Sequence, residues 1–250
     1  YTMDYSRQEL VIGKNAQKKL EKSRVAIIGV GALGSLTAEL LVRSGVKRLI
    51  LFDRDFIEMS NLQRQHMFKL QDVNGQKVKV AKSYLQEINP KVKIKDCFES
   101  LVPNNIDKLK KADLILDCTD NMETRFLLND YCVKNKIDCV FASAVQERGY
   151  VYVFTKGRAC YNCIFSGLRS IDSCETLGVL NGITSLVSSL QVSEAVKLLI
   201  GKNAEEDLIY VRLDKNSFDK VKVKKKDKCE TCKGKFKYLE GKIKEDLCGK

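Results

Sequence analysis

Apolar positions in the first 155 residues follow two alternating patterns. Short runs rich in β-branched residues, at 25–28 (VAII), 48–52 (RLILF), 92–98, 114–116, 140–144 and 151–154, predict strands. Between them, residues at helical spacing such as Leu36, Leu40 and Leu41 predict helices over 34–44, 78–88 and 124–135, the second stopped at Asn89-Pro90. Strand–helix–strand alternation implies an α/β fold: a doubly wound, mainly parallel, Rossmann-like sheet with helices on both faces. The second half is less regular. Leu186, Leu190, Val196 and Leu199 predict a long helix over 182–200, and 208–213 with 218–223 predict a closing C-terminal antiparallel pair. The basic run 222–228 reads as a solvated edge strand kept from aggregating by its lysines. The charged segment after Cys232 reads as a frayed or short helical tail. One domain is expected over 1–250, with a nucleotide-binding core over about 24–155, a second half over about 156–235 and a tail over 236–250.

Gly29-Val-Gly31-Ala-Leu-Gly34 directly follows the first predicted strand and opens the first predicted helix. In that context Gly29 permits the tight turn, Gly31 lets a phosphate approach the backbone, and Gly34 permits close helix–strand packing. Free N–H groups at the helix start attract an anion. Asp53, at the end of the second predicted strand, stands where a carboxylate accepts ribose hydroxyls. NAD and ATP fit these features equally well. Ser60-Asn-Leu-Gln-Arg64-Gln, Lys77 and Asp117-Cys-Thr-Asp120-Asn121 then favour ATP. Ligands of open α/β sheets bind beyond the carboxyl ends of strands. Two cations and the Asn61 amide there suit a triphosphate, and a carboxylate suits Mg²⁺.

The chain has 250 residues, ten cysteines, one histidine and no tryptophan, with 44 basic and 32 acidic residues giving a net charge of +12. One histidine excludes sites built from several imidazoles, and His66 itself reads as a packing or solvent-facing residue. The charge favours acidic or phosphorylated partners without choosing among them. No nucleic-acid recognition motif accompanies it. No secretory signal or uninterrupted apolar run of membrane-spanning length is visible, so a cytoplasmic protein with no membrane partner is expected. Reduced thiols are the rule there. Cys160-x-x-Cys163 and Cys229-x-x-Cys232 are knuckles of the kind that build tetrahedral four-cysteine zinc sites, although the 65 residues between them exceed the interval of a compact zinc ribbon.

Taken in order, YSRQ (5–8), GVGALG (29–34), DRD (53–55), SNLQRQ (60–65), DCTDN (117–121), CYNC (160–163), SLQVSEAVKLL (189–199) and CETC (229–232) resemble the MoeB/ThiF family, relatives of the adenylation domain of ubiquitin-activating enzymes. The resemblance implies ATP-dependent adenylylation of the C-terminal Gly-Gly carboxylate of a ubiquitin-fold modifier or sulfur carrier, with release of pyrophosphate. Carried over by position, Gly29, Gly31, Ala32, Gly34, Asp53, Asp55, Ser60, Asn61, Arg64, Lys77, Asp120 and Asn121 would surround the nucleotide. Asp53 would hold the ribose. Asn61, Arg64 and Lys77 would meet the phosphates, and Asp120 the Mg²⁺. Arg7 matches an arginine that enters the ATP site of the other protomer, so a homodimer is expected. Arg125 matches a further polar family position. Cys160, Cys163, Cys229 and Cys232 match the ligands of a structural Zn²⁺.

Two positions depart from the family pattern. Ala32 stands where many relatives have glycine, and Gln76 where a proline is usual, with Lys79 as the alternative to Lys77. Cys174, in DSCETLGV, matches a thiol that accepts the activated carrier in some relatives, while in others the acyl-adenylate is the last product. Sulfur, where used, is expected from a separate donor protein. The competing readings are an NAD-dependent oxidoreductase on the same glycine turn, and adenylation of a small-molecule or tRNA carboxylate.

Overall fold

Arg24–Ile28, an apolar run with β-branched side chains, forms the strand β1 at the middle of a mixed sheet in the computed structural model, which describes residues 3–166 and 177–242. β2 (Arg48–Phe52), β3 (Lys93–Cys97), β4 (Leu114–Asp117) and β5 (Asp138–Val145) run parallel to β1 in the spatial order β3-β2-β1-β4-β5. β6 (Arg148–Phe154), β7 (Leu208–Arg212) and β8 (Ser217–Val221) extend the sheet beyond β5 as antiparallel neighbours. The expected doubly wound sheet with an antiparallel C-terminal extension is therefore present, as eight continuous strands.

The strand period of two divides the core into two layers. Val25, Ile27, Leu49, Leu51, Leu114, Leu116, Val140 and Ala142 face one layer with α3 (Ala32–Arg43), α4 (Lys77–Ile88) and α7 (Asn181–Ile200). Ala26, Ile28, Ile50, Phe52, Ile115, Cys139 and Phe141 face the other with α5 (Met122–Asn135) and α6 (Tyr161–Phe165). Leu41, Leu51 and Leu85 are fully buried, each worth about 2 kcal/mol of apolar burial. α7 is long and apolar enough to span a membrane, with mean hydropathy 1.3. Here it is a core helix, with Ile183, Val187, Gln191, Glu194 and Ala195 buried.

Four features differ from the sequence reading. Two helices precede β1: α1 (Ser6–Ile12) and α2 (Lys14–Lys22), joined at Gly13, whose φ of +86° suits glycine. α2 buries only Gln17 and Leu20, too little for an apolar pattern to reveal it. α5 begins at Met122, two residues early, because the Asn121 side chain accepts the Thr124 N–H and caps the helix. β8 ends at Val221, so the basic run 222–228 is a connector to Cys229 and no edge strand. The segment after Cys232 is docked through Leu239: Tyr238 stacks on Phe126 at 5.0 Å, and the Asp130 carboxylate accepts the Tyr238 N–H at 3.0 Å.

Candidate active site

The β1–α3 turn sorts its glycines by purpose. A Cβ on Gly29, whose φ is +88°, would lie 2.7 Å from the Cys118 carbonyl, and one on Gly34 would lie 1.9 Å from the Gly29 carbonyl. Both are fixed by the close passage of β4 and α3. A Cβ on Gly31 would meet only the Gln65 side-chain nitrogen at 3.8 Å. Space is thus kept above Gly31, at the start of α3, where free N–H groups favour an anion. Ala32 is the half-buried first residue of α3.

Asp53 directly follows β2 and ties the turn down. Its Oδ2 accepts the Val30 N–H at 2.7 Å and its Oδ1 the Asp55 N–H at 2.8 Å. Burial pushes this carboxyl above its ordinary value, while Lys77 and the two N–H donors pull against that. Lys77, the buried first residue of α4, holds its Nζ 3.1 Å from Asp55 Oδ2. Lys79 is exposed, so Lys77 is the cation the fold directs toward Asp53. In the loop between them, buried Asn61 accepts the Glu58 N–H at 3.1 Å and exposed Ser60 donates to the Glu58 carboxylate. Arg64 donates from Nη1 to the Ser60 carbonyl at 2.8 Å, while its buried Nε has no hydrogen-bond partner. Gln65 Oε1 is also buried and unpartnered. Of these two groups the Arg64 Nε–H is a donor able to meet an anion, whereas Gln65 Oε1 is an acceptor. The donor set fits a nucleoside triphosphate.

β4 supplies the fourth side. Asp117 is fully buried, and its Oδ1 accepts from Thr119 Oγ1 at 2.6 Å and Thr119 N at 3.1 Å. Asp120 follows, exposed and without a polar partner among the described residues. Below them, Arg125 sits with its Nε 3.3 Å from Asp117 Oδ2. Burial opposes the Arg125 charge, but Tyr150, Tyr161 and Asp117 outweigh it and hold its pKa well above the ordinary value. Sequence reasoning gave no role to Gln65 or to Gln191. Gln191 donates to the Asp117 and Val140 carbonyls, both at 2.9 Å, and accepts from Thr37 Oγ1 at 3.1 Å. It thereby pins β4 to α7 and α3. Gln65 lies inside SNLQRQ and Gln191 inside SLQVSEAVKLL, and both were legible to that extent; no local window shows which carbonyls Gln191 reaches.

Arg7 is not brought to these residues. It is exposed on α1, whose Gln8 donates to the Ser44 carbonyl at the C-terminal end of α3. The glycine turn lies at the other end, about 18 Å away along a 12-residue helix. His66 is exposed and within 3.0 Å of Ser185 Oγ. Cys174, with Arg169, Asp172 and Glu175, lies outside the described residues.

The two Cys-x-x-Cys knuckles do meet. Cys160 Sγ is 3.8 Å from Cys163, 3.6 Å from Cys229 and 3.4 Å from Cys232, and Cys163 is 3.5 Å from Cys232. Four thiolates about 2.3 Å from a tetrahedral Zn²⁺ would stand about 3.8 Å apart, so the cluster fits one such ion. These separations are far too long for disulfides. Burial pushes the Cys160 thiol up, and the Cys232 thiol up to about 11.

Fold and site together define an α/β protein with a glycine turn and polar side chains at the carboxyl ends of β1, β2 and β4, and a separate four-thiol cluster. Residues 5–232 match the model of the ThiF family, and the chain belongs to that family. It is 37% identical to the sulfur carrier protein ThiS adenylyltransferase of Bacillus subtilis, over 98% of this chain and 77% of that protein. It is 33% identical to the sulfur carrier protein adenylyltransferase of Thermus thermophilus, over 91% and 89%. It is 34% identical to the adenylyltransferase and sulfurtransferase MOCS3 of Aedes aegypti, over 91% of this chain but only 54% of that protein. The crystal structure of E. coli MccB with ATP shares the fold, with a TM-score of 0.81 at 21% identity over 92% of this chain and 74% of that one.

Proposed function

We propose that the chain adenylylates the C-terminal Gly-Gly carboxylate of a ubiquitin-fold sulfur carrier or modifier, consuming ATP and releasing pyrophosphate. The observation that carries this is the backbone left clear above Gly31 at the start of α3, where a Cβ would meet only the Gln65 side-chain nitrogen at 3.8 Å, in a chain whose relatives are adenylyltransferases. Gly29, Gly31, Ala32 and Gly34 form the phosphate turn, and Asp53 accepts the ribose hydroxyls. Asn61, Arg64 and Lys77, with Ser60 and Asp55 beside them, surround the phosphates. Asp120, next to Asn121, holds Mg²⁺, which when bound neutralises phosphate charge. The carrier carboxylate attacks the α-phosphorus in line, one P–O bond forms as another breaks, and pyrophosphate leaves. The attacking group is already ionised, so the protein's task is positioning and charge neutralisation. An oxidoreductase would leave Arg64, Lys77 and Asp120 without a task.

Three further roles belong to the same proposal. Zn²⁺ in the four-cysteine cluster has no open position and is structural. Arg7 completes the ATP site of a second copy. A groove lined by Ile12, Leu40, Val192, Val196 and Ile200, with exposed Leu10 and Val11 on α1, gives that copy an apolar face. Cys174 takes the activated carrier as a thioester, its thiolate displacing AMP from the acyl-adenylate, and sulfur, where used, comes from a separate protein. The reduced thiols of the described residues suit the cytoplasm.

The test is ATP–pyrophosphate exchange with a panel of small proteins ending in Gly-Gly. Exchange with at least one, abolished in Asp120→Ala, is expected. No exchange with any, together with tight NAD binding, overturns the reading. Cys174→Ala should spare exchange and block any thiol-linked carrier.

A further inference from the structure

Asp120 makes no polar contact of its own among the described residues, so its position is set by the backbone of 117–121. That backbone has an anchor. Arg125 Nη2 donates to the Thr119 carbonyl, immediately before Asp120, and also to the Ala142 carbonyl of β5 at 3.0 Å. Arg125 Nη1 donates to the Tyr150 hydroxyl at 2.6 Å and is 3.4 Å from the Tyr161 hydroxyl; the two phenols are 2.8 Å apart. Tyr161 is the first of the two residues between the thiols of the first knuckle, directly after Cys160. Its ring is fully buried, stacked 4.3 Å from Phe165 and tilted against Phe141 at 4.5 Å. Its N–H donates to Asn129 Oδ1 at 2.7 Å, and Asn129 Nδ2 lies 3.7 Å from Cys160 Sγ. One buried chain of contacts therefore runs from the four-thiol cluster through Tyr161 and Arg125 to Thr119 and Asp120.

We infer that Arg125 is the positioning residue for the Asp120 loop, and that Tyr150 and Tyr161 set its guanidinium, so that the order of the four-cysteine knuckle is transmitted to the magnesium-binding carboxylate. This rests on the adenylation reading and adds to it a dependence of Mg²⁺–ATP binding on the knuckle. All three side chains are buried. Arg125 reaches the Thr119 backbone from beneath, on the layer occupied by Phe126, Phe141 and Tyr161. The hydrogen bonds involve a charge, so losing one in a dry site is a substantial loss of restraint.

Arg125→Ala would leave the Asp117 charge buried and unpaired and is a poor test, because it risks the fold. Tyr150→Phe and Tyr161→Phe each remove a single hydroxyl and keep the rings. Two measurements are made on the full chain. Amide exchange over 117–124, without nucleotide, should accelerate about tenfold in both variants, and in the unsubstituted protein after zinc is chelated. Mg²⁺ should raise ATP affinity about tenfold less in the variants than in the unsubstituted protein, while ATP affinity without Mg²⁺ is unchanged. Unaltered exchange, unaltered magnesium dependence, or an equal loss of affinity with and without Mg²⁺ overturns the assignment alone. An unsubstituted protein that binds no ATP overturns the adenylation reading and this assignment with it.

Discussion

Removing the metal from the four-cysteine cluster should destabilise the chain by a calculable amount. The cluster joins Cys160, just before α6, and Cys163, on it, to Cys229 and Cys232, which follow β8. Treated as one cross-link, it closes a loop of about 70 residues, and the chain-entropy relation gives about 4 kcal/mol. Part of the joint survives without metal: Asn162 Nδ2 donates to Thr231 Oγ1 at 3.1 Å, and Thr231 donates to Asp130 at 2.9 Å. Loss should therefore begin in the segment from 222 to 242 and leave β1 to β5 paired. At this chain length about 4 kcal/mol corresponds to a fall of roughly 10 °C in Tm. Burial pushes the Cys160 and Cys232 thiols up, so a metal ion must displace protons to bind, and the stabilisation should weaken as pH falls. The assay is thermal unfolding before and after chelation, with metal release counted and limited proteolysis mapped on the stripped protein. A stripped protein with unchanged Tm and no new cleavage between 222 and 242 refutes the clamp. So does Cys229→Ser retaining stoichiometric zinc.

The glycine turn separates folding from binding: Gly34→Ala should destabilise strongly because its Cβ would sit 1.9 Å from the Gly29 carbonyl, whereas Gly31→Ala should keep Tm within a few degrees yet lower ATP affinity at least tenfold, read by calorimetry. Mixing inactive Arg7→Ala with inactive Asp120→Ala should restore about a quarter of wild-type exchange if Arg7 acts in the partner's site, since half the dimers are mixed and each holds one complete site. Asp130 should give stability an acid-side slope. Burial pushes its carboxyl up to about 6 from 3.8, so its contribution is full below pH 3.8 and lost as pH rises through about 6. Urea unfolding of wild type against Asp130→Asn should show about 3 kcal/mol of that difference vanish in the variant.

The parts of this fold legible in the sequence are those where one residue answers to one local requirement. β1, β2 and β4 announce themselves because a strand buried on both faces must be apolar at every position, as 25–28, 49–52 and 114–116 are. The glycine turn is legible because two packing constraints, at Gly29 and Gly34, fall within six residues, and the positions of Asp53 and Asp120 because they follow predicted strands. What escaped depends on groups far apart in the chain. α2 has one buried apolar residue, Leu20, so its amphipathicity is carried by a glutamine. Gln191 lies in a motif-bearing segment and Arg125 at a polar family position, but their contacts escaped: only the fold places them against the carbonyls of Asp117, Val140, Thr119 and Ala142. Both serve the same short segment, 117–121, from opposite layers of the sheet. A loop that must hold one free carboxylate in place cannot bury that carboxylate, so its restraint has to come through the backbone, from residues whose chemistry shows only in three dimensions.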